Sequence, residues 1–267
     1  MSFLVDTAAN VLANLLFWFG LGGIFWLLAR TGRRRFLRFF GVERDRSLTA
    51  YLSNLGLPTG DRRTKLLISG HEFLVVRTLA KLFSSSTLRY PEFVRGLVDS
   101  IFIGKQITFQ VDICPDRYEL AVDSAILVVG GGGLNTLRRY YVATHQTLTI
   151  ASSEELDMES HPTPIFQHGY WRITRGARAS ETLAHGVNSA VIERFVDSER
   201  SRIVLCCAGA RADSSWAAVE YLVRHWRDLY RQFSDHPFAM VLEFPQGQGD
   251  SYLDEYAEPK ILASVTG

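Results

Sequence analysis

The sequence predicts an α/β domain with a mostly parallel sheet, standing behind a single N-terminal transmembrane helix. Three observations predict it. A long apolar run near the start of the chain ends on a block of arginines. Two stretches, AILVVGGGGLNTLRRYY and RIVLCCAGARADSSW, each read as a buried strand, a glycine-containing turn and the start of a helix. Around them, apolar runs of strand length alternate with segments of helical period. The expected division is an anchor over 1–29, a basic juxtamembrane segment over 30–46, the α/β domain over 47–245 and a peripheral tail over 246–267.

The anchor is Val11–Ala29, nineteen residues with Asn14 as the one strongly polar side chain. At about 1.5 Å per residue a helix of this length spans the ~30 Å apolar core of a bilayer. Arg30, Arg33, Arg34, Arg35 and Arg38 follow it, and the first ten residues contain no Lys or Arg. The positive-inside rule then puts the N-terminus outside and the main domain in the cytoplasm, at the inner or plasma membrane. A cleaved signal peptide fits poorly, because the charges follow the apolar run. Gly20, Gly22 and Gly23 would let a second copy of the helix approach, so homo-oligomerisation stays open. The segment TGRRRFLRFFGVERDR mixes arginines with Phe36, Leu37, Phe39 and Phe40 and is expected to lie on the anionic inner leaflet. A plain stop-transfer segment running into a linker is the alternative.

Charge sharpens the division. Residues 1–29 carry −1, residues 30–46 carry +5, and the total of +1 leaves −3 for residues 47–267. A mildly acidic globular part argues against a nucleic-acid partner. Cys114, Cys206 and Cys207 cannot all pair, and the adjacent two are expected on opposite faces of one strand. Without a CxxC pair, no metal site is expected.

Within the domain, Leu48–Leu52 is the first expected strand, and Ser69 or Gly70 caps a helix through HEFLVVRTLAKLF. Glu72 then falls in the first turn, where the helix dipole favours a carboxylate, and its alternative role is a catalytic acid. Pro91 opens a second helix, and Ile107–Ile113 alternates as a strand containing Asp112. Residues 144–170, with His145, His161 and His168, are the least regular and read as a lid, binding loop or insertion. Further strands are expected over Tyr170–Thr174, Ala190–Val196, Arg202–Ala208 and Phe238–Phe244. A helix from about Trp216 to Phe233, capped by Ser214 or Ser215, shows the spacing of a face packed on a sheet.

The organising stretch is Ala125–Tyr141. Gly130, Gly131, Gly132 and Gly133 follow a strand and precede a helix, a setting in which free backbone N–H groups meet phosphate or another anion. A tight turn with no ligand has the same requirement. No Gly-Lys-Ser/Thr follows, and the dinucleotide fingerprint is incomplete. Asn135 and Arg138 are the polar residues nearest the run, and Gly209 with Ser214 repeats the arrangement at the second stretch.

On VVGGGGLN and CCAGARADSSW, the part after Leu48 resembles, in layout, the Rossmann-like nucleotide-sensing and nucleotide-cleaving domains of bacterial signalling and defence, namely the TIR, SLOG and nucleoside-deoxyribosyltransferase-like groups. The resemblance includes no complete family motif. It implies a nucleotide or phosphorylated metabolite as ligand and signalling through association at the membrane. An enzyme on the same scaffold would cleave an N-glycosidic bond or a phosphoester, with Glu72 or Asp112 as the carboxylate. A non-catalytic interaction scaffold is the third class.

Overall fold

The computed structural model describes residues 23, 30–43, 47–52, 77–79, 82, 108–113, 125–130, 135–151, 169–173, 182–185, 188–209, 211–245 and 258–266. The strands are β1 (Ser47–Leu52), β2 (Thr108–Ile113), β3 (Ala125–Val129), β4 (Thr149–Ala151), β5 (Gly169–Ile173), β6 (Thr182–His185), β7 (Ser189–Asp197), β8 (Arg202–Gly209), β9 (Phe238–Glu243) and β10 (Lys260–Thr266). The helices are α1 (30–39), α2 (Thr136–Ala143) and α3 (Ala212–Phe233). Residues 77–79 and 82 are also helical.

Seven strands form one sheet in the order β10-β9-β7-β8-β3-β1-β2, and β4-β5-β6 form a second. The strands β2, β1, β3 and β8 run parallel to one another. Beyond β8 every pairing is antiparallel, as in the small sheet, so five of the eight pairings are antiparallel. The mostly parallel, Rossmann-like sheet expected from the sequence is therefore corrected to a mixed one. The physical reason lies in β7, which is buried along nearly its whole length on both faces. A strand covered on both sides reads as a continuous apolar run whichever way its neighbours point.

Asp197 makes the β7–β8 hairpin tight. Its Oδ1 accepts the N–H groups of Glu199 (3.1 Å) and Arg200 (3.3 Å), while Oδ2 accepts from Arg202 Nε and the Tyr141 hydroxyl, both at 3.1 Å. Sequence alternation then sorts the core. One face holds Leu127, Ile192, Cys207, Leu222 and Trp226, and the other holds Val128, Val191, Cys206, Leu137 and Trp171. The adjacent cysteines point to opposite faces, as strand geometry requires. Leu79 and Leu82 join the first face together with α1 and α3, whereas α2 and the small sheet cover the second.

The N-terminal expectations need correction. No helix among the described residues is long and apolar enough to cross a membrane. Apart from Gly23, the expected span Val11–Ala29 lies outside the described residues. The transmembrane, single-pass and membrane-localisation expectations thus lose their structural basis. The apolar residues expected on lipid are instead in the core: Phe36, Leu37, Phe39 and Phe40 are buried. Phe36 meets Trp226 edge-on at 5.2 Å, and Phe39 stacks on Phe238 at 6.2 Å.

Arg194 fastens the end of α1. Buried on β7, it donates to the carbonyls of Phe39 (3.1 Å), Arg38 (3.2 Å), Asp235 (2.5 Å) and His236 (3.3 Å). Orphan carbonyls at a helix end need such donors. Burial lowers the Arg194 pKa from its ordinary value, and Asp235 opposes that shift. The tail expected to be peripheral contains β10, which pairs with β9 at the sheet edge.

Candidate functional site: the carboxyl edge of the parallel strands

The carboxyl ends of β1, β3 and β8 stand level, with Leu52 opposite Val129 and Val129 opposite Cys207. Strand order reverses here, because β2 lies on one side of β1 and β3 on the other. Ligands of open α/β sheets collect outside such an edge at the point of reversal. The chain also parts around β3: α2 goes to one face, while α3 and the helical residues after β1 go to the other.

Gly130 sits at this end with φ of 115°, a conformation that favours glycine. Its N–H donates to the Cys207 carbonyl at 2.9 Å and carries the β3–β8 ladder one residue further. Gly131, Gly132 and Gly133 lie outside the described residues, as does Glu72. Asp112 stands in β2 opposite Tyr51 of β1.

Asn135 forms the floor of the edge. It is fully buried and is the N-cap of α2. Its Oδ1 accepts from the N–H groups of Leu137 and Arg138, both at 3.1 Å. Its Nδ2 donates to the carbonyls of Tyr51 (3.3 Å) and Val129 (3.0 Å). Both amide hydrogens and the oxygen are thus engaged, joining β1, β3 and α2 at one point. Two first-turn amides of α2 are consumed, so an anion at this edge would depend on the glycine run.

Arg138 points away from the edge. Its guanidinium is buried between the two sheets, 3.4 Å from the Glu193 carboxylate. It donates to Cys206 Sγ at 3.3 Å and to the Thr149 carbonyl at 3.2 Å, and lies 5.8 Å from the Trp171 ring centre. The indole N–H of Trp171 in turn donates to the Ser189 hydroxyl at 3.2 Å. This cluster unites the small sheet, α2, β7 and β8.

At the second glycine turn, α3 begins at Ala212, before the expected start near Trp216. Ser214 returns its hydroxyl oxygen to the Arg211 N–H at 2.9 Å, and Ser215 accepts from the Gly209 N–H at 2.9 Å. A Cβ on Gly209 would stand 2.4 Å from Ser214 Oγ and from the Ser215 backbone nitrogen. Glycine is required here by the close approach of α3. Gly209 and Ser214 therefore have internal packing and bonding roles.

Sequence reasoning missed Glu193 and Asp213. Glu193 had a signal, as an acid inside the apolar run AVIERFV must find a partner once buried. Asp213 is 5% exposed, in the first turn of α3. Its Oδ1 accepts the Ser214 N–H at 2.9 Å and lies 3.4 Å from Arg211 Nε. Its Oδ2 is buried without a hydrogen-bond partner. Among the described residues no group of acids, histidines and cysteines is arranged to hold a metal. No protein-family model, no curated protein and no solved structure matches the chain. The reading of this edge therefore rests on its geometry.

Proposed function

We propose that the chain binds a nucleotide or a related phosphorylated metabolite at the carboxyl ends of β1, β3 and β8. The observation that carries the reading is the coincidence of Gly130, at φ of 115°, with the reversal of strand order between β1 and β3. A glycine run lets backbone amides approach a phosphate closely, with no side chain in the way. Asn135 contributes by holding the strands and α2 rigidly beneath the run, and not as a ligand.

Calorimetric titration of the full chain with inorganic pyrophosphate and the four common ribonucleoside diphosphates tests this. The expected result is saturable binding by the parent and none by Gly132→Val that remains folded by circular dichroism. Absence of binding by the parent, or unchanged binding by the variant, overturns the reading.

A further inference from the structure

We infer that protonation of His225 fastens β10 to α3, which makes one edge of the large sheet sensitive to pH. The inference is independent of the nucleotide reading. β10 is the last strand in the order and pairs with β9. Its hold on the sheet is uneven. Ala263 and Val265 are buried toward its end, whereas Lys260 and Ile261 at its start are exposed. The register with β9 also shifts between Ile261 and Ala263. A strand end with little buried apolar surface opens easily, so its side-chain contacts matter.

The contact at that end is electrostatic. Glu258 stands two residues before β10, and its Oε1 lies 3.5 Å from Nε2 of His225, which α3 carries. Nδ1 of the same ring lies 4.0 Å from Asp228 Oδ2, one turn further along α3. The ring is stacked on Tyr221, with centroids 4.3 Å apart. Burial raises the Tyr221 pKa, and Glu258 and then Asp228 raise it further, so both carboxylates act on this pair of rings. Of the neighbouring charges, Arg231 donates to Oδ1 of Asp228, Arg224 pairs with Glu220, and Lys260 of β10 stands opposite Glu243. A neutral imidazole donates from one nitrogen, whereas the imidazolium donates from both and carries the charge that two carboxylates favour. Asp228 belongs to α3 itself, so the Glu258 contact is the one that joins two elements. Histidine is charged on the acid side of its ordinary value of about 6.5, and carboxylates stay ionised well below that. The fastening is therefore complete on the acid side of that range and is lost as pH rises through it.

Native-state hydrogen exchange of the full chain, corrected for the intrinsic rate at each pH, tests this amide by amide. At low salt, the β10 amides near Lys260 should be roughly two- to fivefold better protected at about pH 5.5 than at about pH 7.5, the size expected of a partly exposed ion pair. Those near Thr266 should change little between the same conditions. Glu258→Gln keeps the shape and removes the charge at a side chain that is 70% exposed. That variant and His225→Gln should each abolish the difference. Equal protection of the Lys260 end at both pH values in the parent, or a difference that survives Glu258→Gln, overturns the inference. A change shared equally by both ends of β10 also overturns it, because it would report the stability of the whole domain.

Discussion

Asn135 shows how much one side chain decides at this edge. Asn135→Ala removes the N-cap oxygen and leaves the Tyr51 and Val129 carbonyls without their side-chain donor. The expected loss is about 2–4 kcal/mol, combining a lost cap with two lost side-chain hydrogen bonds to buried carbonyls. Urea unfolding reads it as a lower midpoint at unchanged slope. The Arg138–Glu193 pair makes a sharper prediction. Arg138→Met removes the cation beside a buried carboxylate and should cost about 3–5 kcal/mol, whereas Arg138→Met combined with Glu193→Met should cost much less than the sum of the single changes. Additive losses in that double-mutant cycle would show that the two residues do not act as a unit. Of these residues the sequence displayed Asn135 and Arg138 but not their orientation. A helical residue one position further round faces a different neighbour, and only the packing of α2 against two sheets turned Arg138 inward.

At the scale of the element, α1 changes the meaning of the N-terminal region. Its arginines and aromatic residues have the composition of a lipid-facing helix, yet Phe36, Phe39 and Phe40 fill the core beside Trp226. Composition records that a face is apolar and not what covers it. Phe39 is fully buried, so Phe39→Ala should destabilise the domain by about 3–5 kcal/mol in chemical denaturation. A loss within 0.5 kcal/mol, of the order ordinary at a surface position, would mean that α1 does not dock as described. The strands were the most legible elements. Ala125–Val129 matches its expected bounds, and Leu48–Leu52, Ile107–Ile113 and Arg202–Ala208 shift by a single residue at one end. Strands β4 and β6 were not expected, because Thr149–Ala151 and Thr182–His185 are too short to establish a period.

For the whole molecule, sheet direction was the least legible property. Both faces are covered, so the run of buried residues that marks β3 also marks β7, and direction depends on the hairpin at Asp197. Burial also gives the fold an alkaline limit. Burial pushes the Cys207 thiol well above its ordinary value of 9.0, and the Tyr141 phenol above 10.0, with Asp197 adding to the latter. Each folded pKa exceeds the unfolded one, so this stability is complete below those ordinary values and is lost as pH rises beyond them. The contribution of these two groups to the midpoint of chemical denaturation should be flat below about pH 9 and fall above it, and Cys207→Ala should weaken the first part of the decline. A slope in which stability rises with pH over that range would contradict the assignment.

The central claim is that the edge formed by β1, β3 and β8 receives a phosphorylated ligand. Amide chemical-shift mapping of the isotopically labelled full chain, titrated with pyrophosphate and then with a ribonucleoside diphosphate, tests it most directly. The predicted result is a saturable change centred on the Gly130 amide and the Asn135 side-chain amide, the same with either ligand. Changes confined to the far end of the sheet around Asp197, or none at any ligand concentration, would contradict it.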